Sequence, residues 1–408
     1  MVSDPKRRAS PGKMKVLISG ASIAGPALAY WLNRYGFEVT VVEVARAVRG
    51  GGYPIDVRGT AIDVVERMGL LPALSAAHID SRRLTFVDGT GEAIATISPE
   101  ALTGGEKSRD LEIPRGRLTT LLLDLSREQV RYRFADSIAG LQEHGDGIDV
   151  TFASGGSERF DIVVGADGIH SNTRRLVFGP EAPFSRYLGF CFAGFTVPNE
   201  GGWNHEGIVY AEPGRVAVLF AAGNGDTVHA FLNFAFPHQP CSDQSDEDAQ
   251  RKLTAEMFKG SGWRTQWMMD RMLESDDFFF DSVSQIRMPS WSSGRVVLAG
   301  DAAHAPSFLS GQGSSLALVG AYVLAGELAT HEQPAEAFAA YELKCRPFVE
   351  ANQALAPNGS SLLLPSTAEE LEKRNRWLVE ASSRGPTKSA GEGRREHSML
   401  KLPAYGGS

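Results

Sequence analysis

The chain has 408 residues, 42% hydrophobic and 22% charged, with a formal net charge of −8. That is globular composition, enough for a sizeable core and two domains, and the acidic balance leaves no footprint for a nucleic-acid partner. The cysteines, Cys191, Cys241 and Cys345, are too few and too scattered for a disulfide framework or a metal cluster, so they read as small apolar residues in a reducing cytoplasm, with no metal expected.

Residues 1–12 are polar and basic, with Lys6-Arg7-Arg8 but no apolar segment, and read as a frayed terminus rather than a secretory signal. Residues 14–19 fit a central parallel strand. The apolar stretch 16–32 is interrupted by Gly20, Gly25 and Pro26, so it reads as strand, turn and helix rather than a membrane span. The helix over 23–35 stops at Gly36. A strand over 38–43 then completes a βαβ opening, which predicts a parallel sheet. After Gly50-Gly51-Gly52, the residues Ile62, Val65, Met68 and Leu71 recur at helical spacing. The runs 84–87 and 93–97 flank Asp88-Gly89-Thr90-Gly91 and predict a hairpin. A helix over 118–126 and an antiparallel piece over 134–160 follow. Residues 180–288 are strand-rich and aromatic and predict an antiparallel sheet, with a helical stretch over 250–274. Residues 295–298 return to the parallel sheet, 314–328 form an apolar helix, a C-terminal helix falls within 366–383, and 384–408 are a polar tail.

Three glycine-centred motifs carry the chemistry. In the first, Gly20 makes a tight turn after a buried strand, Ser22, Ile23 and Ala24 follow, and Gly25 lets the next helix approach the sheet. The amides at that helix start suit a pyrophosphate. Glu43 ends the next strand, where a carboxylate accepts hydrogen bonds from a ribose and repels a 2′-phosphate. Arg46 follows on the loop, against adenine or phosphate. In the second motif Asp167-Gly168 follows Val163-Val164; Gly168 suits a turn, and Asp167 is either a ligand or simply a helix cap. In the third, Gly300-Asp301 places a carboxylate at a strand end to bond a polyol hydroxyl. Gly311-Gln312-Gly313-Ser314 then starts an apolar helix whose amides can stabilise negative charge. His304 beside it reads as a packed structural histidine.

These motifs, in this order, resemble the single-component FAD-dependent aromatic hydroxylases (class A flavoprotein monooxygenases), most closely the subgroup of tetracycline-inactivating monooxygenases and natural-product tailoring hydroxylases. The resemblance implies an α/β fold. A Rossmann-like FAD-binding domain with a parallel sheet would comprise 14–80, 114–179 and 289–365, and an antiparallel-sheet substrate domain 81–113 and 180–288. It puts Gly20, Ser22 and Gly25 at the FAD pyrophosphate and Glu43 on the adenosine ribose. Arg115, in Glu112-Ile113-Pro114-Arg115-Gly116-Arg117-Leu118, falls near the ribityl chain. Asp167-Gly168 serves both FAD and NAD(P)H, Asp301 the ribityl or pyrophosphate, and Gly311 to Ser314 the flavin ring. Ser22 stands where the family usually has glycine, Phe308-Leu309-Ser310 where prolines often precede Gly311, and Ser315 where asparagine is common.

The implied reaction consumes NADPH or NADH and inserts one oxygen atom from O2 into an aromatic or polyketide-like natural product or antibiotic, by way of a C4a-hydroperoxyflavin. The cofactor carries the hard chemistry, so no catalytic side chain is assigned. No second strand–glycine–helix unit exists for the nicotinamide, which is expected to dock transiently. Phe190, Phe192, Phe220, Phe231 and Phe234 are candidate substrate walls, with Phe308 on the flavin side; strand alternation lets about half of them face one pocket. A monomer without a membrane span is expected. The alternatives are a Baeyer–Villiger or epoxidising monooxygenase on the same scaffold, and a non-catalytic flavin- or ligand-binding protein. A flavin halogenase is disfavoured, because no Trp-x-Trp-x-Ile-Pro segment exists and no lysine occurs between Lys15 and Lys107.

Overall fold

A computed structural model describes residues 14–48, 53–99, 101, 109–240, 246–356, 363–384 and 395–406. Gly50-Gly51-Gly52 and Cys241 lie outside these residues. Lys15–Ser19 is buried along Val16, Leu17 and Ile18, as a strand covered on both faces must be. It pairs in parallel with Glu38–Glu43 on one side and Ile162–Gly165 on the other. Arg131–Phe134 and Val296–Leu298 extend this sheet in parallel, and Ser292–Ser293 closes it antiparallel. The helices Ala24–Arg34 and Gly313–Thr330 pack on it together, with Trp31 edge-on to Tyr322 at 5.0 Å between ring centroids. Gly313–Thr330 is long and apolar enough to cross a membrane, but it is mostly buried as this domain's core helix.

A seven-stranded sheet runs Phe279–Ile286, Ser185–Pro198, Thr227–Ala235, Arg215–Ala221, Glu206–Glu212, Arg83–Val87 and Ala93–Ile97. It is antiparallel except where Glu206–Glu212 meets Arg83–Val87 in parallel. One face carries Cys191, Ala193, Phe195, Leu232 and Phe234 under the helices Glu247–Phe258 and Thr265–Glu274. The other face is covered at its far edge by the helix Ala368–Arg384, through Leu371, Leu378 and Ala381. The rest of that face looks toward the parallel-sheet domain. A separate three-stranded antiparallel sheet, Ile138–His144, Gly147–Phe152 and Ser157–Phe160, packs against the back of the parallel sheet.

Several elements differ from the sequence reading. The helical spacing from Ile62 to Leu71 is split at Gly69, which adopts φ +73, into Thr60–Arg67 and Leu71–Ala76. The stretch 250–274 is likewise two helices, parted at Gly260 with φ +77. A short ribbon, Pro54–Val57 against Leu111–Pro114, and a long helix, Pro334–Gln353, had no counterpart in that reading. The polar tail is also corrected. Residues 395–406 form a strap across the parallel-sheet domain, where Leu400 O accepts from Thr60 Oγ1 (2.8 Å) and Pro403 O from Arg67 Nη1 (2.9 Å). Tyr405 is only 6% exposed, and its hydroxyl donates to the buried Glu327 carboxylate.

Candidate functional site

The Gly20 turn forms because no side chain fits there. An ideal Cβ on Gly20 would lie 2.3 Å from Ala166 O, and one on Gly25 would lie 1.9 Å from Gly20 O. Strand, turn and helix are thus pressed together, and Ile23 caps the helix Ala24–Arg34 without a side-chain hydrogen bond. The first-turn amides of this helix therefore face the cleft with no side-chain partner, which is the arrangement that binds a phosphate. Arg115, first residue of the helix Arg115–Asp124, donates from Nη2 to Ser22 Oγ at 3.0 Å. The Ser22 hydroxyl keeps its own hydrogen free to donate.

Glu43 accepts from Ala21 N at 2.7 Å and from Ala45 N at 2.9 Å. Its carboxylate thus fixes the Gly20 turn, and the remaining lone pairs stay available to a ribose. Arg46 is exposed on the following loop. Gly168 holds φ +82. The Asp167 carboxylate is consumed internally: it accepts from Ser19 Oγ (3.2 Å), Thr173 N (2.9 Å), Thr173 Oγ1 (2.8 Å) and Ser171 Oγ. It joins two strand ends to the helix Asn172–Phe178, whose own cap is Ser171, accepting through Oγ from Arg174 N at 2.9 Å.

Gly300 turns with φ +59 beside Ala24, bringing the third motif against the first. Asp301 opens the short helix Asp301–His304. It is accessible to solvent yet ringed by protein, as a group on the floor of a cleft is. That enclosure raises its carboxyl above the ordinary value, and Arg115 draws it back down. Gly311 is left-handed at φ +65, and the helix Gly313–Thr330 begins behind it with no side-chain cap. Gln312 is 0% exposed, and neither amide atom has a hydrogen-bond partner among the described residues. Ser314 and Ser315 are buried. His304 is buried against Trp291, at 4.6 Å between centroids, and burial pushes its imidazole down to about 4, as fits a structural residue.

The aromatic candidates divide by strand parity. Phe190, Phe192, Phe220 and Phe231 share the face toward the parallel-sheet domain. Phe192 lies 4.8 Å from Phe308, the residue preceding the Gly311 turn, and Phe231 lies 6.2 Å from Tyr53. Phe234 is the exception: it is 0% exposed on the opposite face and packs on Phe258 at 6.3 Å, so it is core rather than substrate wall. Three residues were missed. Phe279 lies across Gly194 and stacks on Tyr53 at 5.4 Å. His229 shares the wall with Phe231, and burial lowers its imidazole while Asp277 partly raises it. Alternation along Thr227–Ala235 was the available signal for His229. The wall reaches Arg115 through Tyr53, whose ring centroid lies 6.0 Å from the guanidinium carbon.

The residues present fit an FAD. Two uncapped helix starts meet a cleft holding Arg115 and Asp301, the glycine turns leave room for close approach, and an aromatic wall closes the far side. Comparison with known proteins agrees. A family described as FAD binding domain matches residues 13–356. A flavin-dependent monooxygenase from an unknown prokaryotic organism is 39% identical over 375 residues, covering 90% of this chain and 96% of its own. The crystal structure of tetracycline destructase Tet(55) superposes with a TM-score of 0.83 at 34% identity, over 97% of this chain and 100% of that one. At 22% identity, the Klebsiella pneumoniae HpxO structure with FAD and uric acid shares the fold, with a TM-score of 0.72 over 93% of this chain and 100% of that one.

Proposed function

We infer, from the premise that this chain belongs to the FAD binding domain family and is an FAD-dependent monooxygenase, that it hydroxylates a multi-ring aromatic or polyketide-like compound of the tetracycline kind. The observation that carries this is the contact of Phe192 with Phe308 at 4.8 Å. It joins the sheet of the second domain to the loop before the Gly311 turn, so a ring held on Phe192, Phe231 and Tyr53 would meet the flavin from that side.

FAD, once reduced by NADPH or NADH, would supply oxygen activation: one atom of O2 enters the substrate, the other leaves as water, and the nicotinamide is oxidised. The chain's own residues bind and orient. The amides at 22–25 and Arg115 would hold the pyrophosphate side, Glu43 the ribose, and Asp301 the ribityl hydroxyls. The amides of Gly313 to Ser315 favour negative charge on the ring. The aromatic wall excludes water and sets the distance between the reacting atoms. The buried free thiols Cys191 and Cys345 suit a reducing cytoplasm.

The test begins with a visible spectrum of the purified protein and chromatography of the released chromophore. A yellow protein releasing FAD is then given tetracycline, NADPH and air. A product heavier by one oxygen atom, with NADPH consumed in step, supports the reading. A protein that neither carries nor binds FAD overturns it.

A further inference from the structure

The ribbon Pro54–Val57 brings an ion pair, a buried arginine with a half-buried carboxylate, to the flavin-side turn. Arg58 is 8% exposed, and its Nη2 forms an ion pair with Asp56 Oδ1 at 2.7 Å. Both residues lie against Gly311: an ideal Cβ there would stand 3.4 Å from Asp56 Oδ2 and 3.7 Å from Arg58 Nη1. Arg58 is fixed from two further directions. Its amide donates to Ser315 Oγ at 3.1 Å, on the first turn of the helix Gly313–Thr330. The next residue, Gly59, has φ +54 and is backed by the C-terminal strap, so that an ideal Cβ would lie 2.1 Å from His397 O. Asn352 Nδ2 holds that strap at Glu396 O (2.9 Å), and Thr60 Oγ1 holds it at Leu400 O.

We propose that Arg58 is a positioning residue of the flavin site, holding the Asp56 carboxylate against the Gly311 turn and cancelling its charge there. The proposal rests on the FAD reading above. A carboxylate in this place opposes any negative charge that the ring gains on reduction, and a half-buried site screens that opposition less than open water does. The guanidinium neutralises it through Nη2, 2.7 Å from Oδ1, and its rigid planar head holds that position better than a flexible lysine would.

The experiment measures the flavin midpoint potential of the FAD-loaded protein against a reference dye, with no substrate present. Arg58→Gln is expected to lower the ratio of reduced to oxidised flavin about tenfold at fixed ambient potential, about 30 mV for a two-electron couple. Arg58→Lys, which keeps the charge, stays closer to wild type. The double variant Asp56→Asn/Arg58→Gln, which removes both charges, returns toward wild type; if Arg58→Gln does not retain FAD, the double variant and Arg58→Lys carry the comparison. A potential unchanged in Arg58→Gln, or a double variant displaced as far as the single one, overturns the proposal. Absence of FAD from the wild-type protein instead overturns the functional reading.

Discussion

Arg115 and Ser22 stand 93 residues apart in sequence and 3.0 Å apart in space. Their bond ties the helix Arg115–Asp124 to the first glycine turn, and the same guanidinium lowers the Asp301 carboxyl on the cleft floor. Arg115 is therefore shared by two of the three motifs. Replacing it by glutamine removes the positive charge and lets the Asp301 carboxyl rise further. FAD is expected to bind more weakly in Arg115→Gln, and its affinity to fall at a higher pH on acidification than in wild type, because protonated Asp301 accepts less well from a hydroxyl. Fluorescence titration with FAD from neutral to acidic pH tests this; parallel pH curves for the two proteins would refute the coupling.

Asp301 itself is the carboxylate assigned to the polyol. A charge-assisted hydrogen bond is worth about 1.5–3 kcal/mol, so Asp301→Ala should weaken FAD binding roughly 10- to 100-fold. The side chain faces the cleft and has no hydrogen-bond partner among the described residues, so thermal stability of the FAD-free protein should change little. Unaltered FAD affinity would remove Asp301 from the cofactor site.

Phe192 and Phe234 separate wall from core. Truncating a fully buried phenylalanine costs about 3–5 kcal/mol, and Phe234→Ala should lower the melting temperature sharply. Phe192 packs on Phe279 and Phe308 at the domain junction. Phe192→Ala should cost less stability and raise KM for an aromatic substrate. Thermal melts beside steady-state kinetics decide the point, and equal destabilisation with unchanged KM would place Phe192 in the core as well.

The motif glycines were legible because their cause is local. A strand followed at once by a helix leaves no room for a Cβ at Gly20 or Gly25, whatever the rest of the chain does. The aromatic wall was only half legible. Parity within Thr227–Ala235 puts Phe231 and Phe234 on opposite faces, but which face is which depends on helices far along the chain. Phe279 was hidden in the run Phe278-Phe279-Phe280, whose alignment follows a register shift between Tyr187 and Cys191 on the neighbouring strand. Pro347 in Pro334–Gln353 interrupts the helical pattern without ending the helix, because packing of Phe338, Tyr341 and Phe348 outweighs the lost bond. The strap escaped notice because its anchors are single contacts to distant residues, with no periodicity of their own.

Tyr405 is the buried aromatic among those anchors. Its ring lies over Gly326, and its hydroxyl bonds the buried Glu327 carboxylate, which also meets Lys344 at 2.8 Å. Tyr405→Phe keeps the packing and removes one donor from a buried carboxylate, at a cost of about 1–3 kcal/mol. Denaturant unfolding should show a lower midpoint with the same slope. A midpoint equal to wild type would mean that Lys344 and water satisfy Glu327 without the strap.

His170 makes the strongest pH prediction. It lies in the segment after Asp167-Gly168 and contacts Glu181 at 3.0 Å through Nδ1 and Asp281 at 3.2 Å through Nε2. Asp281 belongs to the substrate-side sheet and sits opposite Phe192, whereas Arg174 joins Glu181 (2.6 Å) to Ala302 O (2.9 Å) in the third motif. The imidazolium therefore pins the two sheets together. Burial opposes its charge, but the hydrogen bonds to Asp281 and Glu181 prevail and raise it from 6.5 to about 9. A group raised on folding contributes stability that is complete below its unfolded value and vanishes as pH passes its folded one. The contribution should be full below about pH 6.5 and decline until about pH 9. Wild-type melting temperature should accordingly fall across that window relative to His170→Gln, and the two curves should run parallel above it. Flat separation from pH 6 to 10 would show that His170 is not charged in the fold, and the pin between the sheets would have to be sought in Arg174 and Glu181 alone.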